Sequence, residues 1–77
     1  MNIKEKIRRF LSRFVGDAIF DDADNIFEKG LVNSLFAMQL VVFIENDMGI
    51  TLENEDLELD NFISINSISA LIESKLN

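Results

Sequence analysis

The sequence predicts a small all-α protein: a four-helix bundle with a long first loop and a short third helix. Three stretches repeat apolar residues at helical spacing, and the segments between them are rich in acidic residues, asparagine and glycine. No pair of neighbouring stretches reads as two partnered β-strands. The 77 residues, 48% of them apolar, suffice for one modest core, so we assign residues 1–77 to a single domain.

The first helix is basic and amphipathic, and its apolar stripe is expected to face the core. That stripe consists of Ile3, Ile7, Phe10, Leu11 and Phe14. Gly16 and an acidic cluster then begin the long first loop. Three apolar residues interrupt the polarity of this loop, and we expect Ile26, Phe27 and Leu31 to anchor it to the bundle.

The second helix is predicted over Ser34–Met48, with Gly49 as its terminator. A helical projection predicts one buried face, formed by Ala37, Met38, Leu40, Val41, Ile44 and Met48. The other side carries Leu35, Gln39, Val42, Phe43 and Asn46. An apolar stripe outside the core is typical of a docking surface, although the third helix or the first loop would also cover it.

The last third of the chain is predicted as a loop, a short third helix around residues 60–63 and a final helix. Ile50 and Leu52 are expected to enter the core. Ser64 or Asn66 is the candidate N-cap of the final helix, which ends near residue 76. Its core positions are Ile65, Ile68, Leu71, Ile72 and Leu76.

Charge is divided unevenly along the chain. Residues 1–13 carry a formal charge of +4, and residues 14–77 a formal charge of −11. An acidic body repels nucleic acid and attracts basic protein surfaces, so we expect protein partners and no nucleic acid. No segment has the length of a membrane span, which predicts no membrane insertion.

Several kinds of chemistry lack the residues they need. The sequence has no histidine, cysteine or tyrosine, hence no near-neutral base and no thiol nucleophile, and an enzyme is the least favoured class. The absence of cysteine fits a cytoplasmic setting. Asp22-Ala23-Asp24 begins like a calcium loop, but Ile26 and Phe27 stand where a ligand and a glycine are needed. We therefore expect no metal site.

Ser34 is the candidate functional residue. It follows Gly30-Leu31-Val32-Asn33 and opens the second helix, where free amides and the helix dipole favour a phosphate ester. Serine is also a common N-cap, so a purely structural role has to be weighed against a functional one.

Taken together, these features resemble the acyl and peptidyl carrier protein family over nearly the whole chain. The resemblance rests on the basic first helix, the acidic loop, the motif Gly30-Leu31-Val32-Asn33-Ser34-Leu35, the long second helix and the segment 62–68. It implies that Ser34 bears a covalent phosphopantetheine arm. Asn33 occupies the position where these carriers usually have Asp, which bears on the choice of modifying transferase.

The resemblance also implies a set of partners for a monomeric carrier. These are a phosphopantetheinyl transferase, an acyl- or aminoacyl-loading enzyme, and tailoring dehydrogenases or an acyltransferase or synthase. The residues expected at the docking surface are Asn33, Leu35, Gln39, Val42, Phe43, Glu45, Asp47, Glu55 and Asp56. The apolar members would supply contact near the arm, and the acidic members longer-range attraction.

The second helix indicates which carriers are most similar. Fatty-acid carriers usually place several acids on its partner-facing side, where this chain has Gln39, Val42 and Asn46. In this respect the chain resembles stand-alone carriers of specialised polyketide biosynthesis, on which unusual malonyl-type extender units are built. Stand-alone carriers of D-alanine or other amino acids share the same plan and are the alternative. A different class, a cofactor-free helical interaction module with Ser34 as a cap only, also stays open.

Overall fold

The computed structural model describes residues 2–76, and the prediction of an all-α fold is confirmed over that range. Its three α-helices are α1 (Ile3–Val15), α2 (Ser34–Met48) and α3 (Ile65–Leu76). No residue from 2 to 76 belongs to a β-strand. Within the same range, none of the helices combines the length and the apolar character that crossing a bilayer requires. The first and last residues of the predicted domain, 1–77, lie outside the described range.

The predicted short third helix is the one element that differs in kind. Residues Leu59–Asn61 form a single 3₁₀ turn, preceded by another at Asn54–Asp56, so the described chain has three α-helices and not four. The turn closes when the Phe62 amide donates to the Leu59 carbonyl at 2.8 Å. Between residues 57 and 63 only Phe62 is buried, and Ser64 is already the N-cap of α3. The segment therefore has too little buried apolar surface and too few residues to form a longer helix.

Each α-helix begins at a polar side chain that accepts a hydrogen bond from an otherwise unpaired amide. Asn2 Oδ1 accepts from the Glu5 amide at 3.0 Å at the start of α1. Of the two predicted caps for α3, Ser64 has this role, since its Oγ accepts from the Ser67 amide at 3.0 Å. Helix α2 ends at Gly49, whose left-handed φ of 66° is the conformation that glycine adopts without strain.

One hydrophobic core joins the three helices and the first loop. Its fully buried members include Ile7, Leu11, Ile26, Leu40, Ile44, Ile65, Ile68 and Ile72. The predicted stripe of α1 is confirmed at its centre, while Ile3 and Phe14 are partly buried. Leu76, predicted in the core, is 47% exposed at the C-terminal end of α3.

Helix α2 is rotated relative to the predicted face. Phe36 is 1% exposed and belongs to the core, whereas Met38, predicted in the core, is 68% exposed. Aromatic packing explains the rotation. The Phe10 and Phe43 rings stack with centroids 4.4 Å apart, and Phe14 meets Phe36 edge to face at 5.1 Å. These contacts with α1 turn the phenylalanines of α2 inward and carry Met38 outward.

Apolar residues anchor the first loop, as predicted. Ile26 is completely buried, and Phe27 and Leu31 are partly buried against the core. The Ile26 amide donates to the Ile63 carbonyl at 2.8 Å, and the Leu31 amide donates to the Ile26 carbonyl at 3.0 Å. The loop is thereby bonded to the segment that leads into α3.

A polar contact from α1 holds the same loop. Arg8 Nη2 donates to Asp22 Oδ1 at 2.6 Å and to the Phe20 carbonyl at 3.3 Å, and its guanidinium lies over the Phe20 ring. The Asp22 carbonyl in turn accepts from the Asn66 amide at 3.0 Å. Residue 22 therefore links α1, the first loop and α3.

Candidate functional site

Ser34 is the first residue of α2, and it is exposed. The N-cap is its neighbour Asn33, whose Oδ1 accepts hydrogen bonds from the Leu35 amide at 3.1 Å and the Phe36 amide at 3.3 Å. The interpretation of Ser34 as the helix cap is therefore wrong. Within residues 2–76 the Ser34 hydroxyl makes no hydrogen bond, and it is open to solvent for a covalent attachment.

The surroundings of this hydroxyl suit a phosphate ester. It stands at the positive end of a 15-residue helix, where the dipole favours negative charge, and the first turn of α2 has no acidic side chain to oppose that charge. The residues present thus fit the phosphopantetheine arm that the resemblance implies, with Ser34 as the attachment point and Asn33 holding the helix start in shape.

The loop before Ser34 has a defined path. Gly30 has a φ of 72°, which an L-residue with a side chain rarely adopts, and its amide donates to the Phe27 carbonyl at 3.0 Å. The buried Ile26 fixes the start of this turn. The position of Ser34 is therefore set by the core through the loop, as well as by α2.

The side of α2 that continues from Ser34 is exposed and largely apolar. Leu35 is 59% and Val42 56% exposed, and Gln39 lies exposed between them. Phe43 is only partly buried, with one ring face against Phe10. Two adjoining shallow depressions, which share Phe10, Arg13, Phe43 and Asp47, run along this side between α1 and α2, and we call the pair the α1 groove. The lining residues that matter below are Lys6, Arg9, Arg13, Leu35, Val42 and Phe43.

Another shallow depression, which we call the loop groove, lies between α2 and the segment 57–62. It is lined by Ala37, Met38, Val41, Leu57, Leu59 and Phe62. Leu57 and Leu59 are 47% and 59% exposed. Met38 lines both grooves, so the exposed side of α2 forms the ridge between them.

The predicted acidic docking residues occupy two different environments. Asp47 and Glu55 are exposed, and Asp47 lines the α1 groove. Glu45 and Asp56 are engaged within the protein: Glu45 Oε2 accepts from the Leu52 amide at 3.0 Å, and Asp56 pairs with Lys75 at 2.6 Å. Both contacts fasten the connection between α2 and α3.

The Asp56 ion pair shifts both titrations. The hydrogen bond from Lys75, together with one from the Glu53 amide, lowers the pKa of Asp56 below its ordinary 3.8. The same hydrogen bond with Asp56 raises the pKa of Lys75 above its ordinary 10.5. Both groups are therefore charged throughout the neutral range.

Sequence reasoning missed three residues of the α1 groove. Lys6, Arg9 and Arg13 are not among the predicted docking residues, yet they line the groove beside Phe43 of α2. Their spacing of three and then four residues places them on one helix face, and this signal was present in the sequence. Which helix that face adjoins is visible only after folding.

Comparison with known proteins finds relatives named D-alanyl carrier protein. A 60-residue match to a D-alanyl carrier protein of Enterococcus faecalis is 37% identical and covers 75% of this chain and 77% of the relative. D-alanyl carrier proteins of Leuconostoc mesenteroides and Leuconostoc citreum are 29% and 28% identical over 75 residues, 96% of each chain. No protein-family model matches the sequence.

Proposed function

The chain belongs to the family of phosphopantetheine-dependent carrier proteins, and from this premise we propose that it carries D-alanine as a thioester on an arm attached to Ser34. Members of this family are carriers and not catalysts, and they work with loading enzymes and transferases. When bound, the arm supplies the thiol that forms the thioester.

The observation that supports Ser34 as the attachment point is that its neighbour Asn33, and not Ser34 itself, caps α2. Asn33 satisfies the free amides at the start of α2, and this leaves the Ser34 hydroxyl exposed and unbonded. A transferase would join Oγ to the phosphorus of coenzyme A that bears the pantetheine. The pyrophosphate bond breaks, adenosine 3′,5′-bisphosphate leaves with the electron pair of that bond, and the hydroxyl proton passes to the transferase or to solvent. The helix dipole then stabilises the resulting phosphodiester.

The names of the relatives support D-alanine as the cargo. All three are D-alanyl carrier proteins, and two of them align over 96% of this chain. The polyketide extender-unit specificity suggested by the second helix has no support among them. The scarcity of acids on α2 is therefore better read as a preference for apolar docking than as a sign of extender-unit chemistry.

In this proposal the chain's own residues position the arm and present it to other proteins. Ile26 and Gly30 fix the loop before Ser34, and Asn33 fixes the helix start. Leu35 and Val42 offer apolar contact beside the arm. Tethering raises the local concentration of the cargo at each docked partner, while a small contact area permits release.

Modification with coenzyme A and a broad-specificity phosphopantetheinyl transferase tests the attachment site. The wild-type protein should gain one arm by intact mass, Ser34→Ala should gain none, and the control Ser74→Ala, which changes a serine on α3, should be modified normally. An arm on another residue, or none with several transferases, would contradict the site. Absence of any arm would also favour the cofactor-free interaction module.

The cargo is tested on protein isolated from its native host. Mild base should release D-alanine from the wild-type protein, identified by chiral chromatography, and nothing from Ser34→Ala. Release of a malonyl-type acid would contradict D-alanine as the cargo and indicate a polyketide extender unit. The assignment of Ser34 as the attachment point would not be affected.

A further inference from the structure

The concentration of basic side chains in α1 has no part in the proposed function. Residues 1–13 hold five of the seven basic residues of an acidic chain. The structure separates them into three groups. Arg8 pairs with Asp22 and holds the first loop. Lys4 lies on the side of α1 near α3, beside Ser69 and Glu73.

The other three basic residues, Lys6, Arg9 and Arg13, line the α1 groove. Arg9 and Arg13 are exposed, and Lys6 is partly exposed. Among the ion pairs within residues 2–76, none involves any of the three. One carboxylate, Asp47, lies in the same depression, which therefore has three basic side chains and one acid. The exposed Val42 lines the adjoining depression, which shares Arg13, Phe43 and Asp47 with the basic one.

The loop groove on the other side of α2 has the opposite charge. Leu57 and Leu59 alternate with Glu58 and Asp60, which are both exposed. The ridge of α2 that begins at Ser34 thus separates an apolar depression with a basic rim from an apolar depression with acidic flanks. Two such surfaces cannot both complement the same partner surface.

We propose that the α1 groove docks a protein partner that presents an apolar side chain flanked by aspartate or glutamate. The apolar part would contact Val42 and the exposed face of Phe43, and the carboxylates would pair with Arg9 and Arg13. This partner differs in charge from the basic-surfaced enzymes that the acidic body attracts, and the groove would discriminate between the two. The inference goes beyond the proposed function, because it does not depend on the arm or on the cargo.

Burial and charge favour a protein over an anionic membrane as the occupant. The apolar stripe of α1 is in the core, with Ile7 and Leu11 fully buried, so this helix has no apolar face to insert into a bilayer. Residues 14–77 carry a formal charge of −11, which an anionic bilayer repels at short range. A partner protein can instead place its carboxylates locally against the three basic side chains.

Two short amphipathic peptides are the probes, one with leucines between glutamates and its twin with leucines between lysines. Each is titrated into ¹⁵N-labelled protein and followed by amide chemical shifts. The glutamate peptide should shift signals of Lys6, Arg9, Arg13 and Phe43. The lysine peptide should instead shift signals of residues 57–60. Shifts on the same residues with both peptides, or none in the α1 groove with the glutamate peptide, would overturn the proposal.

Charge reversal supplies the matched controls. The double variant Arg9→Glu/Arg13→Glu should bind the glutamate peptide about tenfold more weakly, as expected for two lost surface ion pairs with added repulsion. Lys4→Glu/Lys29→Glu, which changes the net charge by the same amount at two positions outside the groove, should bind as the wild type does. Amide chemical shifts that remain as widely dispersed as in the wild-type spectrum would show that both variants are folded. Equal weakening in the two would mean that net charge alone is responsible, and would overturn a specific groove.

Vesicles of phosphatidylglycerol test the membrane directly. The wild-type protein should not sediment with them at physiological salt. Sedimentation that Arg9→Glu/Arg13→Glu abolishes would assign the basic rim to anionic lipid and contradict a protein partner.

Discussion

At the scale of the residue, Asn33 and Ser34 have separate tasks at the start of α2. The Asn33 side chain accepts from two backbone amides, so the helix start does not depend on the serine hydroxyl. The contributions of the two side chains to stability and to modification can therefore be measured independently.

The first prediction separates the two side chains. Asn33→Ala should lower the free energy of unfolding by about 1 kcal/mol, because Ala cannot accept the bonds from Leu35 and Phe36. Ser34→Ala should leave it nearly unchanged, since alanine is an excellent helix residue and no bond of the hydroxyl is lost. Urea unfolding at neutral pH measures both. A larger loss for Ser34→Ala would mean that the serine is the working cap.

The second prediction concerns the ion pair of Asp56 and Lys75. A lowered pKa of Asp56 contributes stability above its ordinary 3.8, and this is lost as pH falls through the folded-state value. A raised pKa of Lys75 contributes stability below its ordinary 10.5, and this is lost as pH rises through the folded-state value. Lys75→Met should therefore lower the thermal midpoint most in the neutral range.

The measurement is the difference in thermal unfolding midpoint between the wild type and Lys75→Met, taken at pH 7 and again at pH 3. The difference should shrink at pH 3, because this pH lies below the ordinary pKa of 3.8, where the stability that comes from the lowered pKa of Asp56 begins to be lost. Lys29→Met is the control, because Lys29 lies 3.9 Å from Asp24, well beyond a short ion-paired hydrogen bond. A difference that stays constant between the two pH values would assign the effect of Lys75 to packing.

At the scale of the element, α2 packs one side into the core and leaves the opposite side, the predicted docking surface, exposed. Phe36, Leu40 and Ile44 are buried, whereas Leu35 and Val42 are more than half exposed. Phe43 lies at the boundary, with its ring stacked on Phe10. It therefore belongs partly to the fold through α1, whereas the sequence suggested either docking or contact with the third helix or the first loop.

The third prediction distinguishes these roles. Val42→Glu should keep the wild-type stability, because the side chain is 56% exposed, yet raise the KM for the carrier in cognate loading. Phe43→Ala should lower stability by about 1 kcal/mol or more through loss of the aromatic stack. Urea unfolding and loading kinetics are measured on the same samples. Unchanged loading by Val42→Glu would remove this side of α2 from the docking surface.

At the scale of the whole molecule, the first loop joins the helices into one unit. Arg8 of α1 binds Asp22, the Asp22 carbonyl receives the Asn66 amide of α3, and Ile26 fills the core between the elements. The loop then leads directly to Ser34. The position of the candidate site is thus coupled to global stability through a segment without regular secondary structure.

The fourth prediction tests this coupling. Ile26→Ala should cost about 2–5 kcal/mol, as truncation of a fully buried isoleucine usually does. Ile19→Ala, in the same loop, should change stability little, because Ile19 is 97% exposed. Urea unfolding compares them. Similar small losses in both variants would show that the loop is not packed into the core.

Much of the fold and the candidate serine could be predicted from local pattern. The bounds of α2 follow from Ser34 and Gly49, and Ile26 could be recognised as an anchor because it interrupts a polar loop. Met38 and Leu76 were misplaced for different reasons. The rotation of α2 depends on Phe10 and Phe14 of α1, which are distant in sequence. Leu76 is exposed because it lies at the C-terminal end of α3.

The sequence by itself determined the all-α class, the limits of α2 and the serine at its start, because helical periodicity and capping residues act over a few positions. Only the tertiary structure decided that Glu45 and Asp56 are held within the protein, and that Lys6, Arg9 and Arg13 border the apolar side of α2. These outcomes depend on which side chains meet across the fold, and local spacing carries no information about such encounters.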